Sequence, residues 1–415
     1  MTNKLNIYIS WLVLAIFYLY IYLLRSSPGV LIEEIRFTFR MNADNFALMG
    51  SMYYYGYSLV QVPLGLIVDK HGVRKTVIYS ILLCIIGTIL IISTKNNYLV
   101  YLSRLLVGVG TASAFMCSLK LANDFLPKSL KEVAIGATLT FGSFGALLTG
   151  TPLNYILKKF TTWQASFLIF VIIGIFILVF VLIFLPKTSK SKLANENTNI
   201  LEDIYSIITN KQILIYAIIA IGLYSPLSVI ADLWGTAFIV KKFNLTREIA
   251  SPILMNIYIG MAVGSVIVPY FGKVLGINRI IRFSSISLLI LFSFLVYAQD
   301  IDYYCLVAIL VLIGFFCGAE MLCFAAALHY AKPNSSGLTI GVVNTLNMLS
   351  GAILQHVIGI YLDYNWKGVL DINGLRIYSV DNFIEAFSIL IGIMVITTII
   401  AFIYLKSKKT LGINE

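Results

Sequence analysis

The chain has 415 residues, 59% hydrophobic and only 12% charged, with a formal net charge of +11 at pH 7. Soluble globular chains carry about 25% charged residues. This one therefore lacks the polar surface that a soluble enzyme, a nucleic-acid-binding domain or a disordered segment requires. A helical crossing of the hydrocarbon core takes about 20 apolar residues, so the length accommodates a dozen crossings joined by short loops.

Apolar runs predict spans at 7–34, 46–68, 76–94, 98–122, 133–156, 165–185, 212–238, 250–270, 281–298, 303–328, 338–361 and 383–405. The expected fold class is an all-α membrane protein of twelve transmembrane helices. No small-residue cleavage site follows the first run, which reads as a retained helix and not a signal peptide. The longest polar interruption, 186–211, begins Pro186-Lys187 and continues through Lys190 and Lys192. Asn199 stands three residues before Glu202, as in a capping box. Leu201, Ile204, Tyr205 and Ile208 then repeat at i, i+3, i+4, i+7, predicting a short amphipathic helix on the membrane surface. The chain thus divides into an N-terminal six-helix bundle (1–185), a cytoplasmic linker (186–211) and a C-terminal six-helix bundle (212–415).

Lys and Arg are scattered between the apolar runs, with no basic face for nucleic acid. Their excess falls in loops that are cytoplasmic if both termini are inside, and Lys406, Lys408 and Lys409 support that orientation. Lys158, Lys159, Lys241 and Lys242 in the external loops oppose it. Cys84, Cys117, Cys305, Cys317 and Cys323 lie inside apolar runs without metal-ligand spacing and read as packing residues. Sliding the chain by 206 residues places Gly314 on Gly108, Pro333 on Pro127 and Gly351 on Gly145, in agreement with two repeated halves.

Between the second and third runs the sequence reads Gly65-Leu-Ile-Val-Asp69-Lys70-His71-Gly72-Val73-Arg74-Lys75. This resembles the loop 2–3 signature of the major facilitator superfamily. Arg104-Leu-Leu-Val-Gly108-Val-Gly110 is similar to that family's fourth-helix pattern. Gly142, Gly145, Gly150 and Pro152 resemble a loosened fifth-helix motif, and Trp163-Gln164 the entry to the sixth helix. The second copy of the loop signature, Pro269 to Arg279, is degraded: Lys273 replaces the acid and Asn278 replaces Arg74. The resemblance implies two six-helix domains with alternating access. It also implies gating or coupling duties for Asp69, Arg74 and Arg104. Gly65 is expected to allow close helix approach, and Gly72 a tight turn. A narrower set comprises Arg25-Ser-Ser-Pro28-Gly29-Val30, the tyrosines before Gln61-Val-Pro63, Trp234-Gly235 and Gly351-Ala-Ile-Leu-Gln355. It resembles the phagosomal-transporter (Pht) branch of intracellular bacteria, which implies amino-acid or nucleoside substrates.

Charges inside a span cost about 2.5–3.5 kcal/mol each on insertion scales. Arg25, Arg104 and Lys120 lie in the first half; Asp232 and Glu320 lie in the second. A cationic wall facing an acidic wall suits a zwitterion, with Arg25 on a carboxylate and Glu320 on an ammonium group. Each has a competing reading. Arg25 could pair with Asp232 or Glu33, Lys120 could snorkel to the interface, Asp232 could be a wetted gate residue, and Glu320 could carry a proton. Tyr53, Tyr57 and Gln61 share one face of the second span, with Tyr54 and Tyr55 alongside; Asn344, Asn347, Gly351 and Gln355 share one face of the eleventh, with His356 off that stripe. The candidate substrate-binding residues are therefore Arg25, Tyr53, Tyr57, Gln61, Glu320, Asn344, Asn347 and Gln355. The candidate coupling or gating residues are Asp69, Arg74, Arg104, Asp232 and Glu320.

The expected function is secondary active or facilitative transport of a small polar solute across the bacterial inner membrane, an amino acid or similar zwitterion first. A nucleoside or organic anion is the alternative. Protons are the candidate coupling ion, and a monomer in the lipid bilayer is the expected state. No Walker-type GxxxxGK[ST], HExxH or GxSxG run is present, so no cofactor or enzyme activity is expected.

Overall fold

The computed structural model describes residues 4–186, 200–332 and 335–405. Its first half comprises α1 (Lys4–Val30), α2 (Ile32–Phe39), α3 (Ala43–Ser93), α4 (Asn97–Thr111), α5 (Ser113–Phe125), α6 (Lys128–Leu147), α7 (Thr151–Phe160) and α8 (Trp163–Phe184). A linker helix follows, α9 (Ile200–Ile208). The second half comprises α10 (Lys211–Pro226), a π-helix (Leu227–Trp234), α11 (Gly235–Phe243), α12 (Arg247–Leu275), α13 (Ile277–Tyr297), α14 (Tyr303–Cys317), α15 (Glu320–His329), α16 (Ser336–Tyr364) and α17 (Val380–Tyr404). Among the described residues the only β-type pairing is one isolated bridge, Leu370 with Arg376.

Ten helices of the described residues are long and apolar enough to cross a membrane. The difference from twelve runs has two local causes. The runs at 46–68 and 76–94 are joined in α3, a continuous 51-residue element broken only at Gly72 (φ 78°, ψ 159°). A side chain at that φ is disfavoured, so the expected tight turn is where glycine is needed. The run at 133–156 is divided between α6 and α7, of 20 and 10 residues. Two other expectations are corrected. The first run does not continue to 34: α1 stops at Val30, and Glu33, Glu34 and Arg36 belong to the separate α2. Among the described residues no neighbouring helix lies within 4 Å of where a Cβ on Gly65 would stand, so that glycine makes no close helix contact here.

Helix starts follow side-chain caps. Asn42, Asn96, Asn210 and Asp302 each accept a backbone N–H of the first turn, and Ser379 with Asn382 closes a capping box on α17. The repeat is visible in packing. A Cβ on Gly108 would stand 2.0 Å from the Tyr53 carbonyl, and one on Gly314 would stand 1.8 Å from the Ile257 carbonyl. The same backbone approach therefore joins α4 to α3 and α14 to α12. All five cysteines are free, four of them buried.

In the linker, Lys187, Lys190, Lys192 and Asn199 lie outside the described residues, as do Pro333 and Lys406, Lys408 and Lys409. In α9, Ile207 is buried against the rest of the protein while Tyr205 and Ile208 stay exposed. The halves meet chiefly along α3 against α16, α6 against α12, and α1 against the π-helix. The α2–α3 and α16–α17 connections lie at one end of the bundle, the far end. The opposite end, with Asp69–Arg74 and α9, is the linker end.

Candidate functional site

Pro28 lacks an N–H, so the Leu24 carbonyl, four residues back in α1, has no helical donor. Arg104 Nη1 of α4 occupies it at 3.0 Å. The same guanidinium lies 5.1 Å from the Tyr53 ring centroid, and its Nε is buried without a hydrogen bond. Arg104 thus ties α4 to α1 and α3 inside the first half.

One turn along α1, Gly29 lets the backbone of the π-helix come close: an added Cβ would stand 2.6 Å from the Asp232 carbonyl. That approach sets up a polar knot between the halves. Arg25 donates to Asp232 Oδ2 from Nε (2.7 Å) and Nη2 (2.5 Å). Nη2 also donates to the Tyr54 hydroxyl (2.7 Å) and to that of Tyr224. Tyr54 itself donates to Asp232 Oδ2. On the other carboxylate oxygen, Oδ1, Ser26 donates at 3.0 Å and Tyr258 donates as well. Of the two pairings open to Arg25, Asp232 is the one found. Asp232 is 2% exposed in this conformation, with both carboxylate oxygens occupied. An eight-residue π-helix carries it, an arrangement that often marks functional positions.

Glu320 opens α15 and is buried. Asn347 of α16 donates to its Oε1 at 2.5 Å. Glu320 Oε2 and Asn347 Oδ1 are both buried with no hydrogen-bond partner among the described residues. The pair therefore offers two unmet acceptors in a low-dielectric setting, where a missing partner costs about 1–3 kcal/mol per group. Arg25 lies within electrostatic range of Glu320. Of the charges that the sequence places in the two halves, Arg25 meets Asp232, which already neutralises it, while Arg104 and Lys120 bind within the first half.

The remaining predicted residues spread along the α3–α16 seam. Tyr53 is buried and packs on Tyr54 and Tyr57 (ring centroids 5.6 and 6.4 Å apart). Tyr57 packs half-buried beside Tyr53, and Asn344 is likewise half-buried on α16. Gln61 Nε2 reaches the Ala112 carbonyl at 3.4 Å. Gln355 donates to the Ser228 carbonyl (2.5 Å), while its Oε1 is buried without a partner.

At the linker end, the signature residues bind within their own half. Lys120 pairs with Asp69, so the lysine does more than snorkel. Arg74 donates to the carbonyls of Leu182 (2.6 Å) and Leu185 (3.0 Å), closing the C-terminus of α8. Among the described residues neither Asp69 nor Arg74 makes a polar contact with the second half.

Sequence reading missed the far-end clasp. Asp363 Oδ2 accepts the Asp44 backbone N–H (2.8 Å), and the Tyr378 hydroxyl accepts the Ala43 N–H (2.9 Å). Tyr378 in turn donates to Asp363 Oδ1 at 2.5 Å, and Arg376 donates there at 3.1 Å. An acid from the second half thus sits on the N-terminus of a first-half helix, where the helix dipole favours it. Burial raises the Tyr378 phenol well above its ordinary pKa, so it stays a donor. His356 meets Asp44 (2.8 Å), Arg36 donates to the Arg376 carbonyl (2.9 Å), and Arg247 pairs with Glu34. Ser26, Tyr224 and Tyr258 were missed too. Their one signal was a hydroxyl inside an apolar run.

A bundle whose described residues include ten helices long and apolar enough to cross a membrane has the make-up of an integral membrane protein. Residues 14–354 match the family described as Major Facilitator Superfamily, and the chain belongs to that family of membrane transporters. The uncharacterized transporter YybO of Bacillus subtilis (strain 168) is 28% identical over 144 residues, 35% of this chain and 33% of the relative. A probable sugar efflux transporter of Pasteurella multocida is 26% identical over 171 residues, 41% of this chain and 42% of the relative. The probable sulfoacetate transporter SauU of Cupriavidus necator is 23% identical over 157 residues, 38% of this chain and 36% of the relative. These matches span only about a third to two fifths of the relatives' own length. Among solved structures, a bacterial homolog of the human lysosomal transporter Spinster, inward-facing and unoccupied, aligns over 99% of this chain and 100% of its own, with a TM-score of 0.76 and 14% identity. The nucleoside transporter NupG aligns over 96% of this chain and 100% of its own, with a TM-score of 0.74 and 15% identity. At such identities the likeness is one of fold.

Proposed function

We propose that the protein carries a small polar solute with an ammonium group, an amino acid or similar zwitterion, across a bacterial inner membrane by alternating access. The observation that carries this reading is the pair of unmet buried acceptors, Glu320 Oε2 and Asn347 Oδ1. Two acceptors at one place call for a donor-rich group, and a carboxylate among them favours a cationic one. Arg25 receives the solute's carboxylate when the halves rock and its bond to Asp232 is exchanged. The resemblance to the Pht branch supports the same class and the direction of import. Both termini are cytoplasmic, and the far-end clasp is then the external gate. Proton coupling through Glu320 belongs to the same reading, as does action as a monomer.

A second reading is a hydroxyl-rich solute, a sugar or nucleoside. It is favoured by the phenols and amides along the α3–α16 seam and by the names of the relatives. A thermal-shift panel of amino acids, nucleosides, sugars and organic acids separates the two, since a ligand of the folded state raises its stability. Selective stabilisation by amine-bearing solutes, absent in Glu320→Gln, supports the first reading. Stabilisation by sugars or nucleosides alone replaces it with the second.

A further inference from the structure

A cavity of about 430 Å³ opens at the far end, away from the central residues. Small-molecule sites generally enclose about 300–1,000 Å³, so the space suits a molecule of amino-acid size. Its walls come from both halves: Ile32, Glu33 and Arg36 from α2, and Lys241, Asp371 and Phe383 from the second half. Ile32 and Phe383 are buried and make an apolar floor.

The charges around this space are unequally committed. Arg36 donates to the carbonyls of Met41 (3.2 Å) and Arg376 (2.9 Å) and lies 5.1 Å from the Tyr378 ring centroid. Asp371 Oδ1 holds its own loop through the backbone N–H groups of Asn373 and Leu375, each at 2.8 Å. Glu33 and Lys241 are exposed on the rim. Among the described residues neither of these two side chains enters a hydrogen bond or an ion pair. One acid and one base are therefore available over an apolar floor, and the three acids of the lining (Glu33, Glu34, Asp371) balance its three bases (Arg36, Lys241, Arg376).

The geometry points to a peripheral binding site for a small zwitterion with an apolar side chain: its ammonium group on Glu33, its carboxylate on Lys241 and its side chain on Ile32 and Phe383. The class of ligand rests on the zwitterion reading above; the site itself is separate from the Glu320–Asn347 pair. Because both halves line the cavity, an occupant bridges them and holds the far end closed.

Isothermal titration of the purified full chain with L-valine, L-leucine and L-phenylalanine tests this. Two binding components are expected. The double variant Glu33→Gln, Lys241→Met weakens one by about tenfold or more, the scale of a lost charge-assisted contact, and leaves the other. Glu320→Gln does the converse. The rim residues are exposed, so their replacement leaves the fold intact. A single component that Glu320→Gln abolishes and the double variant leaves unchanged overturns the peripheral site while the central reading stands. A component sensitive only to the double variant keeps the peripheral site and removes the central one. No binding of any of the three amino acids by the unmodified chain overturns the peripheral site and counts against the zwitterion reading.

Discussion

The two ends of the bundle use charge differently. At the far end, Asp363, Tyr378, His356 and Arg247 of the second half bind groups of the first. At the linker end, Asp69 pairs with Lys120 and Arg74 caps α8, all inside the first half. The far end is therefore latched by bonds that must break when the halves part there. Linker-end charges can instead keep their partners while each half moves as a body. The family signature lies at the linker end, and among the described residues the polar contacts between the halves lie at the centre and the far end.

Removing a partner from the central knot should have the largest effect. Asp232→Ala strands a buried guanidinium, and breaking a buried pair this way costs about 3–5 kcal/mol. Thermal unfolding of the purified variant should show a clear loss, and Asp232→Asn a smaller one. An unchanged melting temperature in Asp232→Ala would mean that the knot does not hold the halves.

Next in size is the far-end latch. Ser51 is buried on α3 and donates to the Ala352 carbonyl across the seam at 2.7 Å. Ser51→Cys in a background without the native cysteines is nearly isosteric and reports separation of the halves. Adding Asp363→Asn, or Tyr378→Phe, should raise its labelling by a membrane-impermeant maleimide several-fold. Equal labelling with and without those changes removes the latch role.

The linker-end pair should matter least to stability. Asp69 and Lys120 side chains are 50% and 26% exposed, and pairs of this kind are worth about 0–1 kcal/mol. Lys120→Ala should move the melting temperature by a degree or two at most. A shift as large as that of Asp232→Ala would erase the contrast between the two ends.

The sequence made the central charges legible because charge inside an apolar run is costly and so conspicuous. Arg25, Asp232 and Glu320 were visible for that reason. Their arrangement was not. Arg25 and Asp232 are 207 positions apart, and periodicity on one helix does not say which face meets the other half. Tyr224 and Tyr258 were lost among 25 tyrosines. Asp363 and Tyr378 lie at or beyond a span's edge, where polar groups are ordinary and carry no signal. The π-helix has Pro226 before it but no residue pattern of its own. Gly72 was legible because only its type of residue fits the turn, whereas Gly65, in the same motif, meets no neighbour.

In the proposed cycle Glu320 and Asn347 receive a donor group of the solute. Uptake into proteoliposomes of the amine-bearing solute selected by the thermal-shift panel, compared between the unmodified chain and Glu320→Gln, tests it most directly. The expected result is at least a tenfold loss of uptake with unchanged or slightly higher stability, since the variant removes a buried acceptor that lacks a partner among the described residues. Full uptake by Glu320→Gln, with its pH dependence intact, would contradict it.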